Sequence, residues 1–399
     1  MKVLVADAFA DQAVDELRSL GLEVDYQPGL GAGDLPAALG TASVLIVRST
    51  RVSAEAIDAA SELSLIVRAG AGVNTIDIVA ANRRGIFVAN CPGRNSVAVA
   101  ELTLGLMLAL DRRIADNVLD FRSGAWNKAR YSKAKGIAGL TFGIVGFGQI
   151  GKEVATRATA FDMRVLAWSR SLTLEVAEGY GVGYCSTIEE LIGASDVVSL
   201  HAALTDETRG LISAERIALM KPGSVLLNTS RAELVDEQAL VAALESGAIR
   251  AGLDVIQNEP EGKSGTVESA LRSLSGVIVT HHIGASTDQA QNAVAEEAVR
   301  IVRNYSQTGH VPNWVNRSSD TAANWQLAVR HYDKPGVLAN VLTELKRQNI
   351  NAEELENVIF EGNQTACCTI KLDDRPSDAT LARIRSRGEE VISVTLFSG

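Results

Sequence analysis

A chain of 399 residues has room for two or three domains, each with its own core. Its composition, 46% apolar and 22% charged, is that of an ordinary globular protein, and a net charge of −10 excludes the diffuse positive field that a nucleic-acid partner requires. An acidic substrate would have to be captured by individually placed arginines.

The N-terminal run MKVLVADAF is too short for a signal segment, and LTLGLMLAL (102–110) is about half of what a bilayer span needs. A cytoplasmic protein without a membrane partner is expected. Over the first 90 residues, short apolar strands alternate with amphipathic stretches: VLVAD (3–7), LEVDY (22–26), SVLIVRS (43–49), SLIVRAG (64–70) and GIFVANC (85–91). Strands separated by single helices predict a parallel sheet covered on both faces. A long helix is expected from Ser96, read as its cap, to about Phe121.

A second α/β series follows, with strands at 141–146, 163–169, 196–201, 223–230, 251–255 and 276–282. Its first turn, Gly146-Phe147-Gly148-Gln149-Ile150-Gly151, joins a predicted strand to a predicted helix. In that setting Gly146 permits a tight turn, Gly148 lets a pyrophosphate approach the backbone, and Gly151 lets helix and strand pack closely. The helix N-terminus offers unpaired N–H groups to phosphate. A dinucleotide is therefore the expected cofactor. An NAD site of this kind normally ends its second strand on an acid, but here the strand ends on Ser169 and Arg170. That pair lacks the charge that repels a 2′-phosphate, so NAD is expected with NADP possible.

Arg231 in NTSRAELVDE, Glu259 in LDVIQNEP and His281 and His282 in THHIGAST all fall at strand ends on the same sheet edge as the glycine turn. Removing a hydroxyl proton while a hydride leaves carbon requires a base that titrates near neutrality. A carboxylate behind the imidazole fixes its tautomer, and an arginine grips a substrate carboxylate through two parallel bonds. One Arg, one Glu and one His make a complete set for oxidising a 2-hydroxy acid.

A helix from about Thr287 to Tyr305 is expected to cross back to the first sheet, and the polar stretch VPNWVNRSSDTAAN (311–324) to act as a linker. The remaining residues read as βαββαβ, an antiparallel sheet with helices on one side. Cys91, Cys185, Cys367 and Cys368 show no zinc or redox spacing, so no metal is expected.

RAGAGVNTIDIVAANRRGIFVANCPGRNSVAVAELTLGLMLAL, GIVGFGQIGKEVATRATAFDM, LLNTSRAELVDEQAL and THHIGASTDQAQ resemble the D-isomer-specific 2-hydroxyacid dehydrogenases over nearly residues 1–318. LAVRHYDKPGVLANVLTELKRQNINAEELENVIFEG resembles an ACT domain. The resemblance implies a flavodoxin-like substrate domain (1–95 and 287–318), an inserted NAD(P)-binding Rossmann domain (96–286) and an ACT domain (324–399). It implies Arg231 as substrate anchor, His282 as acid–base residue and Glu259 as its partner, with His281 where the family usually has proline. Ala71, Gly72 and Val73 would cradle the substrate carboxylate, with Asn95 beside the reacting centre. Cofactor contacts would fall on Ala71, Gln149, Ile150, Ala202, Thr229, Ser230, Asp254, Gly284 and Ala285, besides the loop glycines and Ser169-Arg170.

Arg48, Arg68 and Lys128 match positions carrying cations in the branch that acts on 3-phospho-D-glycerate, with Lys128 reaching toward a neighbouring subunit. This implies a phosphorylated 2-hydroxy acid as substrate, unless Arg48 and Arg68 pair with local acids such as Asp77 or Glu62. The Ser-Arg ending resembles NADPH-linked glyoxylate and hydroxypyruvate reductases of the same superfamily. A non-catalytic nucleotide-sensing protein of the same fold is a further alternative. A homodimer or homotetramer is expected. The resemblance of the tail implies His331, Asp333 and Asn351 as candidate residues for an L-serine effector, with a purely structural, dimer-forming tail as the alternative.

Overall fold

The computed structural model describes residues 1–260, 264–318 and 323–398, and it divides into two compact units, Met1–Asn316 and Arg317–Gly399. Residues 319–322, inside the expected linker, lie outside the described residues.

In the first unit, β1 (Lys2–Val5), β2 (Glu23–Tyr26), β3 (Val44–Val47), β4 (Leu65–Arg68) and β5 (Phe87–Asn90) form a parallel sheet of order β2-β1-β3-β4-β5. This is the flavodoxin-like strand order. β3, Val-Leu-Ile-Val, is buried at every position, as a strand covered on both faces must be. One of those covers is helix Asp288–Thr308, whose Val294, Ala298 and Ile301 pack against Val3, Val5 and Ile46. The chain then returns along β5: Val315 N–H donates to Val88 O at 2.9 Å, and Val88 N–H donates to Asn316 Oδ1 at 2.8 Å.

The second sheet contains β6 (Thr141–Val145), β7 (Arg164–Trp168), β8 (Gly183–Tyr184), β9 (Val197–Leu200), β10 (Val225–Asn228), β11 (Arg250–Leu253) and β12 (Val277–Val279). All are parallel, in the order β12-β11-β10-β9-β6-β7-β8. The order reverses at β6, which is the switch point where doubly wound sheets bind ligands beyond their carboxyl ends.

Helix Ser96–Arg112 buries Leu104, Met107 and Leu110 against Phe142 and Val225 of this sheet. It stops short of the predicted Phe121. Arg113 takes a left-handed conformation (φ 51°) that closes one helix and starts another, Ile114–Arg122. Nor is Ser96 the cap: Asn95 precedes the first turn, and the Ser96 hydroxyl is buried without a partner. The cap signal misled because no side chain of the 95–96 pair bonds the first-turn amides.

The second unit pairs β13 (Trp325–Tyr332), β14 (Ala352–Ile359), β15 (Thr365–Leu372) and β16 (Val391–Ser398) in an antiparallel sheet of order β14-β15-β13-β16. Helices Val337–Lys346 and Asp378–Arg385 supply its core with Val341, Leu345, Leu381 and Ile384. Cys368 is buried in β15 as a small apolar residue, and all four thiols are free.

Candidate active site

The glycine turn follows β6. Gly146 has φ +96°, and a Cβ there would lie 2.6 Å from the carbonyl carbon and oxygen of His201. A side chain is thus excluded by both conformation and space. Gly148 faces open space, and it opens helix Gln149–Ala160 with no side chain capping the first-turn amides. Free N–H groups beside an unfilled approach fit a pyrophosphate. Gln149 crosses the face of Gly93, so the turn is in contact with the segment that leaves the first sheet. Thr229 Oγ1 meets Thr103 Oγ1 at 3.0 Å, and Ser230 Oγ donates to Leu200 O at 2.7 Å. These bonds fasten the loop after β10 to helix Ser96–Arg112 and to the end of β9.

His282 lies in the loop after β12, beyond the strand in which it was expected. Its backbone is left-handed (φ 52°), a costly conformation for a non-glycine residue. The support is Asp254, which is 1% exposed. Its Oδ1 accepts from Thr280 Oγ1 at 2.6 Å and from Ile283 N–H at 2.9 Å, while Oδ2 accepts from Gly284 N–H at 2.8 Å. The Asp254 carbonyl also accepts from His282 N–H at 2.9 Å. Both carboxylate oxygens of Asp254 are therefore engaged with the histidine loop, a positioning task that sequence reasoning did not assign to it.

His282 Nδ1 is 2.8 Å from Glu259 Oε2, and Glu259 Oε1 accepts from Ile256 N–H at 3.1 Å. Burial works to raise the Glu259 pKa. The bond and charge of His282, the Ile256 amide and the charge of Arg231 outweigh it and hold the carboxyl below its ordinary range. An ionised Glu259 makes Nδ1 the donor, which leaves Nε2 with a free lone pair. His281 is exposed.

Arg231 donates to Ser230 O at 2.6 Å, and its own carbonyl accepts from Asn228 Nδ2 at 2.8 Å. Its Nη2 crosses the face of Gly72, where a Cβ would collide with it. Any side chain at Gly72 would thus displace the arginine. Ala71 O accepts from Asn90 Nδ2 at 2.6 Å, and Ile76 N–H closes on Val73 O at 3.0 Å, so the 71–76 loop is tied at both ends.

Arg68, at the end of β4, folds across Gly70 in the same way, and its Nε is buried without a hydrogen-bond partner. Burial lowers the Arg68 pKa to about 10, aided by repulsion from Arg231 and Arg48. Arg68 thus feels the charges of both Arg231 and Arg48. Asp77 caps helix Ile78–Arg83 instead, accepting from Ala80 N–H at 2.9 Å, and Glu62 is exposed. Among the described residues no carboxylate forms an ion pair with Arg48 or Arg68. Asp7, two residues beyond β1, is 7% exposed and organises the loop bearing Arg48. It accepts from the N–H groups of Arg48, Ser49 and Thr50 at 2.7, 3.0 and 3.0 Å. Asn95 Oδ1 is a further buried acceptor without a partner.

Lys128 lies in an exposed segment beside the short turn Ala129–Tyr131. In the tail, Ala366 pairs with both His331 and Ile359, whereas Leu372 pairs with both Trp325 and Ala352. His331 and Asp333 thus sit at one end of the antiparallel sheet and Asn351 at the other, roughly 20 Å apart at ~3.3 Å per residue. Both ring nitrogens of the buried His331 are occupied, by Tyr332 O at 2.8 Å and by Asn357 Oδ1 at 3.1 Å.

The fold and the site define a dinucleotide-binding α/β protein with a second parallel-sheet lobe. Residues 104–284 match the NAD binding domain of the D-isomer specific 2-hydroxyacid dehydrogenases. The chain is 42% identical over 261 residues to the hydroxypyruvate reductase of Thermotoga maritima, covering 65% of this chain and 83% of that protein. It is 37% identical over 367 residues to the D-3-phosphoglycerate dehydrogenase of Methanocaldococcus jannaschii, covering 90% of this chain and 65% of that one. The structure of NAD+-bound 3-phosphoglycerate dehydrogenase from Entamoeba histolytica superposes with a TM-score of 0.67 at 29% identity, over 79% of this chain and 99% of that chain. This chain belongs to the D-isomer specific 2-hydroxyacid dehydrogenase family. It spans about 65% of the length of the archaeal relative. Among the described residues no helix is long and apolar enough to cross a membrane.

Proposed function

We propose that this protein catalyses the reversible oxidation of 3-phospho-D-glycerate to 3-phosphooxypyruvate, the first step of L-serine biosynthesis, with NAD as hydride acceptor. The observation that carries the choice of substrate is the group of Arg48, Arg68 and Arg231: Arg68 and Arg231 cross Gly70 and Gly72, Arg68 feels the charge of the other two, and among the described residues no carboxylate forms an ion pair with Arg48 or Arg68. A cluster of this kind fits a substrate bearing both a phosphate and a carboxylate.

In this reading Arg231 and the amides of 71–73 hold the carboxylate, while Arg48 and Arg68 hold the phosphate. His282 Nε2 takes the hydroxyl proton as the C2 hydride departs, and Glu259 stabilises the resulting imidazolium through Nδ1. The bound nicotinamide supplies the hydride acceptor. Asp254 keeps the histidine loop in its left-handed turn. Residues 1–95 and 287–318 form the substrate domain, 96–286 the cofactor domain and 324–399 an ACT domain. Exposed Leu119, Phe121 and Trp126 (63, 68 and 82%) beside Lys128 support a homodimer whose partner covers this segment. Binding of L-serine through His331, Asp333 and Asn351 requires two tails side by side, since one tail separates them.

Steady-state kinetics on 3-phosphoglycerate test the proposal. Turnover with NAD is expected, and His282→Gln should lower kcat on the order of 10²–10⁴-fold with a smaller change in KM. Undetectable turnover with 3-phosphoglycerate and efficient reduction of hydroxypyruvate would instead support the reductase reading, which the Thermotoga relative favours. Such an enzyme would tolerate loss of charge at Arg48 and Arg68.

A further inference from the structure

The strand that should end on a ribose-binding acid ends on Ser169-Arg170, and the structure brings a carboxylate there from elsewhere. Arg170 Nη1 forms an ion pair with Oε2 of Glu207. The two residues belong to loops after β7 and β9, the strands that flank β6 and its glycine turn. Those strand ends close on the turn directly: Gly146 N–H donates to Trp168 O at 2.8 Å, and the His201–Ala202 backbone blocks the Cβ position of Gly146.

Both charges stand on anchored turns. Leu172 N–H donates to Ser169 O at 3.1 Å, and Leu172 is buried. On the other side the buried Thr208 donates through Oγ1 to Ala203 O at 2.7 Å and accepts from Thr205 N–H at 2.8 Å, which fixes the turn carrying Glu207. The pair itself is open to water, with side-chain exposures of 64% and 72%. An ion pair so exposed contributes little to folding, whereas its position at the switch point is where the adenosine half of a dinucleotide is expected.

We propose that Glu207 determines cofactor choice: it supplies the negative charge missing from position 169, occupies Arg170, and so favours a free ribose 2′-hydroxyl over a 2′-phosphate. A 2′-phosphate would have to displace the carboxylate from Arg170 and then remain beside it. Removing the Glu207 charge frees Arg170 to hold that phosphate through a charge-assisted bond. The inference rests on the dinucleotide reading of the site and is independent of which hydroxy acid the enzyme oxidises.

Calorimetric titration of the purified full chain with NADH and with NADPH, without substrate, tests it. The parent protein should bind NADH more tightly. Glu207→Gln should lower the ratio of the NADPH to the NADH dissociation constant on the order of tenfold, and adding Arg170→Ala should reverse that shift. An unchanged ratio in Glu207→Gln, a shift that persists without Arg170, or a parent protein that prefers NADPH would each overturn the assignment. Failure to turn over 3-phosphoglycerate would overturn the proposed substrate and leave these titrations unaffected.

Discussion

Two charge clusters in the Met1–Asn316 unit are built in opposite ways. Around Glu297, whose side chain is 3% exposed, every oxygen is satisfied: Arg94 at 2.7 Å, Arg300 at 2.5 and 3.0 Å, and Asn313 at 2.7 Å. The bond from Arg300 comes first among the causes that bring its pKa to about 2, against the opposing effect of burial. The cluster joins the 91–95 crossover to helix Asp288–Thr308, distant in sequence, and to the chain that follows that helix at Asn313. Around Arg68 the reverse holds, with like charges close together and a buried Nε left without a partner. A saturated cluster ties chain segments together. An unsaturated one stores an electrostatic cost that a ligand of opposite sign relieves.

This contrast can be broken by mutation. Arg68→Met should reduce kcat/KM for 3-phosphoglycerate on the order of a hundredfold, because a charge-assisted bond to the phosphate is lost. The same variant, unliganded, should be more stable at pH 7 by about 1–3 kcal/mol, as thermal unfolding would show. The sign follows from the depressed pKa of a base: the charged form is disfavoured in the folded state, and that penalty is fully present below pH 10. A lower Tm would mean that Arg68 is structural.

Glu297→Gln should have the opposite outcome, a loss of about 2 kcal/mol at pH 7. Its folded pKa of about 2 lies under the ordinary 4.5, so its stabilisation is complete above pH 4.5 and lost as pH falls toward 2. Acid unfolding of the variant should accordingly be flatter across that window. Arg94→Met removes one of several partners of Glu297, so the loss should shrink to about 1 kcal/mol, measurable by denaturant titration.

Legibility in the sequence followed the range of the interactions. The glycine turn and the alternation of strands and helices could be read because each depends on local spacing. The break at Arg113 could not, since nothing in the local pattern marks a left-handed arginine. Asp7 and Asp254 were undervalued for a related reason: each looks like an ordinary strand-end acid until the loops it collects, 48–50 and 280–284, fold back onto it. The ion pair of Arg170 with Glu207 joins two loops on either side of β6, and no spacing rule connects them. The tail illustrates the converse: three candidate effector residues close together on the page are separated by strand register.

The linear chain alone determined the parallel-sheet architecture and the glycine bend, because hydrophobic periodicity and backbone conformation are properties of neighbouring residues. Tertiary structure decided which charges are neutralised and which remain open to a ligand. Pairing of that kind depends on loops from different strands meeting at one sheet edge, and that meeting exists only after the sheet has formed.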